Sequence, residues 1–126
     1  MARGSRNRIA VVDDDGAVRD SLQLLLESHG FEAQAYDSGP AFFASGPPDF
    51  DCLVVDLHMP EMSGLELVET LRVRGNGLPV VIATGRMDAL LAKRVRQAEV
   101  IAVLPKPFAD AELLALIQRA LDVPSP

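Results

Sequence analysis

The sequence predicts an α/β domain in which a parallel sheet is covered by helices on both faces. Three observations carry this. Short apolar runs of β type alternate with helical patterns five times along the chain, the signature of repeated strand–helix units. The runs are mostly continuous rather than alternating, as strands buried on both sides require. The 126 residues are 48% hydrophobic and 24% charged, with a mean hydropathy of +0.16, which suits one compact domain and leaves no room for a second.

The first run, 8–12, leads to a helix over 17–28, where Val18, Ser21, Leu22 and Leu25 share a stripe and Gly30 follows as a left-handed terminator. The second run, 31–36, precedes Ser38 and Pro40, a suitable helix start, and a short helix over 41–44. The third, 52–55, is followed by the helical spacing of Leu65, Val68 and Leu71. The fourth, 79–83, precedes a helix over 88–98. After the fifth, 100–104, a helix over 109–121 turns Leu113, Leu116, Ile117 and Ala120 inward. The folded core is therefore expected over 8–122 of a single domain spanning 1–126. Residues 1–7 and 123–126 read as termini or linker, the latter because two prolines in four residues cannot extend a helix.

Composition narrows the function. Twelve Lys and Arg against eighteen Asp and Glu give a net charge of -6, which works against binding to nucleic acid or an anionic membrane. The longest apolar runs, 24–26 and 78–83, fall far short of the roughly 20 residues of a membrane span. Arg3, Arg6 and Arg8 are not followed by the apolar segment of a signal peptide, so a cytoplasmic location is expected. The single cysteine, Cys52, can form no internal disulfide and reads as a small core hydrophobe.

The polar residues at strand ends carry the chemistry. Asp13, Asp14 and Asp15 follow the first strand, Asp56 ends the third, Thr84 ends the fourth, and Lys106 lies just past the fifth. In an open parallel sheet the carboxyl edge holds the ligand, at the point where strand order reverses. With the order 2-1-3-4-5, Asp13, Asp14 and Asp56 converge there. Carboxylates about 4 Å apart repel by about 4 kcal/mol per pair at an effective dielectric near 20, so a positive group must sit among them. Mg²⁺ answers that need, with one or two carboxylates as ligands and a place kept for a phosphate oxygen. Lys106 adds a second positive charge and Thr84 a hydroxyl donor. Such a site suits a transferable phosphoryl group, with a carboxylate as nucleophile.

Over nearly its whole length the chain resembles the receiver domain of two-component response regulators. The matching segments are VVDDD, VVDLHMPEMSG, VIATG and LPKPF, in that order. VDDDGAVRDSLQLLL, DLHMPEMSG and ATG are especially similar to receivers whose output domain is a LuxR-type helix-turn-helix. The resemblance implies a flavodoxin-like (βα)5 fold and a phosphoacceptor switch, with no enzyme activity beyond its own phosphorylation and dephosphorylation. It makes Asp56 the phosphoacceptor. Asp13, Asp14 and Asp56 hold Mg²⁺ with the backbone carbonyl of His58, Thr84 bonds a phosphoryl oxygen, and Lys106 pairs with the phosphoryl group. The implied partners are a sensor histidine kinase or phosphotransfer protein, and a second copy on phosphorylation. A cis bond between Lys106 and Pro107 is implied as well.

The chain departs from the family pattern in one region. Val103 stands where the family usually has Phe or Tyr, Glu99 where it usually has Gly, and Pro105 directly precedes Lys106. The fourth helix to fifth strand is thus the expected atypical part.

Other readings stand beside these. Asp13-Asp14-Asp15-Gly16 also fits the D-x-D-G opening of haloacid-dehalogenase-type phosphatases, with Asp13 as nucleophile and Asp15 as general acid. A pseudo-receiver, signalling by constitutive partner contact, is the third reading. Asp15 more simply caps a helix, the His58 side chain sits on the rim, and His29 places a favourable charge near a helix end. Lys93, Arg94 and Arg96 read as a solvated basic face or a partner surface.

Overall fold

The computed structural model describes residues 7–45 and 50–122. Its elements alternate without exception: β1 (Arg8–Val12), α1 (Gly16–Ser28), β2 (Glu32–Tyr36), α2 (Gly39–Ala44), β3 (Cys52–Asp56), α3 (Gly64–Val73), β4 (Val80–Thr84), α4 (Ala89–Gln97), β5 (Ala102–Pro105) and α5 (Asp110–Leu121). The five strands form one parallel sheet in the order β2-β1-β3-β4-β5, as expected. The order reverses between β1 and β3, so the carboxyl ends of these neighbours meet at the switch point.

Each face of the sheet is a separate core. On one face Ile9, Val11, Cys52, Val54 and Val81 pack against Leu22 and Leu26 of α1 and Leu113, Ile117 and Ala120 of α5. On the other, Ala10, Val12, Leu53, Val55, Val80 and Ile82 pack against Phe42 of α2, Leu65, Val68 and Leu71 of α3, and Val95 of α4. Alternate residues of one strand therefore serve opposite cores, which is why the central runs are apolar without a break. The edges differ. β2 and β5 expose residues along their length, because an edge strand has a neighbour on one side only.

Local chemistry places the ends. Asp15, Ser38, Ser63 and Asp88 cap α1 to α4 with side-chain oxygens on early helix amides. At α5 the carboxylate of Glu112 takes the Ala109 N–H. Three helices then stop on a left-handed residue: Gly30 after α1 at φ 85, Gly75 after α3 at φ 76, and Glu99 after α4 at φ 58. The first two are the terminators that geometry favours; a side chain in that region costs about 1 kcal/mol.

Several expectations shift. The inward stripe of α1 centres on Leu22 and Leu26, and Ser21 is exposed. β5 begins at Ala102 rather than at residue 100, because the Glu99 turn carries the chain past Val100 before Ile101 makes the first bond to β4, its N–H on the Val80 carbonyl at 2.8 Å. Asn7 joins the sheet edge, its carbonyl accepting from the Glu32 N–H at 2.9 Å. The remaining residues expected as termini or linker, 1–6 and 123–126, lie outside the described residues.

Candidate functional site

β1 delivers Asp13 to the sheet edge. Its N–H continues the ladder to the Tyr36 carbonyl at 3.2 Å, its carbonyl accepts from Arg19 at 2.8 Å, and its Oδ1 accepts from the Asp15 N–H at 2.9 Å. With its backbone and one carboxylate oxygen tied, the side chain has little freedom, and only 3% of the residue is exposed. Asp15 is spent as the cap of α1, accepting from the Ala17 and Val18 N–H groups at 2.9 and 3.3 Å. That is the structural role foreseen for it.

Asp56 is the last residue of β3, between β1 and β4, and is buried. One carboxylate oxygen each from Asp13, Asp14 and Asp56 lie within 4.8 Å of one another. At that separation each like-charge pair repels by about 3 kcal/mol at an effective dielectric near 20. The Nζ of Lys106 answers part of this repulsion. It lies 2.8 Å from Asp56 Oδ1 and 3.3 Å from Asp13 Oδ2. The lysine follows β5, is anchored by its N–H on the Thr84 carbonyl at 2.8 Å, and reaches across the end of β4. The Lys106–Pro107 bond is cis, as the resemblance implied.

The charges here are coupled. Burial raises the Asp13 carboxyl above its ordinary value; the Asp15 N–H and the Lys106 charge oppose that rise, and the Asp56 charge adds to it. Burial pulls the Lys106 ammonium down, but the hydrogen bond to Asp56 and the charges of Asp13 and Asp56 together outweigh it, and the net shift is upward. Lys106 therefore stays charged. One ammonium against three carboxylates leaves an excess of two negative charges among hard oxygen donors. That donor set fits a small divalent cation.

Thr84 is buried at the end of β4, but its hydroxyl is engaged locally. It donates to the Arg86 carbonyl at 2.7 Å and accepts from the Arg86 N–H at 3.0 Å. The His58 ring is exposed and lies outside the carboxylate group, on the rim as foreseen; its Nε2 is 3.1 Å from the same Arg86 carbonyl. His29 closes α1, its Nδ1 3.0 Å from the Leu25 carbonyl. Of the basic cluster on α4, Arg94 pairs with Glu69 of α3 at 2.8 Å across exposed surface. Cys52 is fully buried in the core.

Two contributors escaped the sequence reading. Gly64 opens α3, and a Cβ there would fall on the carbonyl oxygen of Asp56. Its N–H bonds the Leu57 carbonyl at 2.9 Å, so the loop after Asp56 closes directly against the strand that carries it. The signal was present in the quoted MPEMSG segment, where a glycine directly follows the capping Ser63. Arg72 is the second. Its guanidinium donates to the carbonyls of Asn76, Leu78, Ala98 and Glu99, joining the end of α3 to the turn after α4.

Comparison with known proteins agrees with this geometry. Residues 9–118 match the family model described as response regulator receiver domain. The chain is 41% identical over 114 residues to the transcriptional regulatory protein FixJ of Azorhizobium caulinodans, covering 90% of this chain and 54% of that protein. It is 36% identical over 114 residues to the response regulator protein TmoT of Ectopseudomonas mendocina, covering 90% and 52%. The chain thus spans about half the length of these curated relatives. Among solved structures, the crystal structure of FixJ-N superposes with a TM-score of 0.86 at 32% identity, covering 97% of this chain and 98% of that one. No helix among the described residues is long and apolar enough to cross a membrane. Five parallel strands in switch-point order, the carboxylates gathered at their edge and a match from residue 9 to 118 have one common account: the chain belongs to the response regulator receiver domains.

Proposed function

We propose that the chain is a phosphoacceptor switch of the cytoplasm, organised as a single domain, in which Asp56 takes a phosphoryl group from a sensor histidine kinase or phosphotransfer protein. The observation that carries this is the contact of Lys106 with both Asp56 and Asp13 within a group of three converging carboxylates. In this reading Asp13, Asp14 and Asp56, with the backbone carbonyl of His58, hold Mg²⁺, which when bound supplies positive charge against the oxygens of the transferring group. A carboxylate oxygen of Asp56 attacks phosphorus in line. The bond from phosphorus to the donor nitrogen breaks and its electron pair stays with the donor ring, which leaves as neutral imidazole because its other nitrogen carries a proton. Lys106, already charged and directed at Asp56, neutralises the phosphoryl oxygens, and Thr84 turns its hydroxyl toward one of them. Hydrolysis of the acyl phosphate returns Asp56 to its carboxylate. The altered loops then bias a surface for a partner or a second copy.

The test is incubation with Mg²⁺ and a small phosphodonor, read by intact mass, with Asp56→Asn as control. A single added phosphoryl group in the wild type and none in the variant is the expected outcome. An unmodified wild type would instead support constitutive partner contact, and an adduct that persists in the Asn variant would move the nucleophile to Asp13.

A further inference from the structure

The carbonyl oxygen of Arg86 is held twice. Thr84 Oγ1 donates to it at 2.7 Å, and His58 Nε2 lies 3.1 Å away on a different loop. A carbonyl has no hydrogen to give, so His58 Nε2 must carry one and donate it; the two lone pairs of the oxygen accept both bonds. The Thr84 hydroxyl has only one hydrogen. If it turns to a phosphoryl oxygen, it must leave the Arg86 carbonyl.

What remains on that carbonyl decides how far the loop moves. Residues 85–90 are all exposed, and α4 is held to the core by buried Val95 and partly buried Leu91. Few contacts therefore restrain its first turn, and a single hydrogen bond in the preceding loop matters. The same loop walls a cleft of about 560 Å³ lined by His58, Gly85, Arg86, Met87, Asp88 and Leu91, so its position also shapes the surface beside the site.

We propose that His58 is a positioning residue, which retains the Arg86 carbonyl when Thr84 lets go. Phosphorylation then loosens the loop between β4 and α4 by one bond rather than releasing it. The inference rests on the phosphoacceptor reading for the departure of Thr84, while the His58 contact belongs to the resting chain and can be tested in it.

The experiment is deuterium exchange of amides 87–91 in the full chain, with and without Mg²⁺ and beryllium fluoride as a phosphoryl mimic. Wild type, His58→Ala, His58→Gln, Thr84→Val and the Thr84→Val/His58→Ala double variant are compared. In the loaded protein His58→Ala should speed exchange about threefold to tenfold, the factor that one net hydrogen bond represents. His58→Gln, which keeps a side-chain N–H donor, should restore most of the protection. In the ion-free protein the effect of His58→Ala should be larger on the Thr84→Val background than on the wild type, because the two donors substitute for each other. Equal exchange with and without His58 in both states would overturn the proposal, as would failure of Gln to restore protection. Uptake of the mimic is followed separately by fluorine NMR. If the wild type takes up none, the phosphoacceptor reading fails, and the ion-free variants still decide the role of His58. Should Thr84→Val not fold, His58→Ala against His58→Gln decides alone.

Discussion

Lys106 Nζ sits 2.8 Å from Oδ1 of Asp56, a residue fifty positions earlier on a strand two places away in the sheet. Neither residue could hold this geometry alone. Asp56 is placed by the buried run of β3, and Lys106 by its own N–H on the Thr84 carbonyl, so the pair reports the register of β3, β4 and β5 together. Their contact offsets one pairwise repulsion among three carboxylates and leaves the others standing. The site thus holds electrostatic strain that the rest of the fold must outweigh.

That strain predicts a trade between stability and ion binding. Asp14 is exposed and contributes its charge to the group without tying a backbone amide as Asp13 does. Asp14→Asn should therefore raise the melting temperature in chelator by a few degrees, since repulsion falls and no packing is lost. Added Mg²⁺ should raise the melting temperature of the wild type and have little effect on the variant. Thermal unfolding in chelator and in Mg²⁺ checks both halves; a variant less stable than the wild type in chelator would mean that the carboxylates do not repel as their spacing requires.

Gly64 predicts a steric effect transmitted to the strand that carries Asp56. A Cβ at this position meets the Asp56 carbonyl oxygen, which is backbone and cannot rotate away. Gly64→Ala should cost about 3 kcal/mol, at the upper end of overpacking penalties, by forcing the start of α3 off the end of β3. Ser63→Ala, which removes the neighbouring cap and adds no atoms, should cost about 1 kcal/mol. Urea unfolding of the two variants separates clash from lost capping.

How much of this was legible depended on whether a residue acts through its neighbours in sequence or in space. The strands, the caps at Asp15 and Ser38, the terminator Gly30 and the gathering of Asp13, Asp14 and Asp56 all follow from short-range patterns plus one rule about parallel sheets. Gly64 and Arg72 do not. The first is required by a carbonyl across a loop, the second by four carbonyls on two segments, and no local spacing encodes either. The start of β5 was misplaced for the same reason. Val100 and Ile101 have the apolar character of a strand, but Glu99 adopts the left-handed turn conformation that Gly30 and Gly75 adopt, and the chain makes its first bond to β4 only at the Ile101 N–H.

Cys52 predicts a pH dependence. Burial pushes its thiol up to about 12 from an ordinary 9.0. An acid whose folded value is raised contributes stability that is full below the unfolded value and is lost as pH climbs toward the folded one. The wild type should therefore lose about 1.4 kcal/mol per pH unit from this group above pH ~9. Cys52→Ala removes that component while adding a pH-independent cavity cost. Urea unfolding from about pH 8 to 11 should show the difference between the two proteins shrinking as pH rises. A constant difference would show that the thiol ionises as readily folded as unfolded.

Arg72 predicts a loss that charge alone does not explain. Burial lowers its guanidinium below the ordinary value and the Glu99 charge opposes that shift, yet arginine stays protonated at any working pH. The planar fork donates at 3.0 Å to both Ala98 and Asn76, at 2.9 Å to Leu78 and at 3.4 Å to Glu99, so one side chain satisfies the carbonyls left open beyond α4 and before β4. A lysine has the charge but is a point donor and cannot span four acceptors on two segments. Arg72→Lys should therefore be destabilised nearly as much as Arg72→Met, by about 2–3 kcal/mol, the range for hydrogen bonds to a charged group when their acceptors are left partly buried. Exchange should rise first at the amides around Ala98 and Glu99, where the strained turn loses its support. If Arg72→Lys instead keeps wild-type stability in urea unfolding, the guanidinium geometry is not what holds the end of α4.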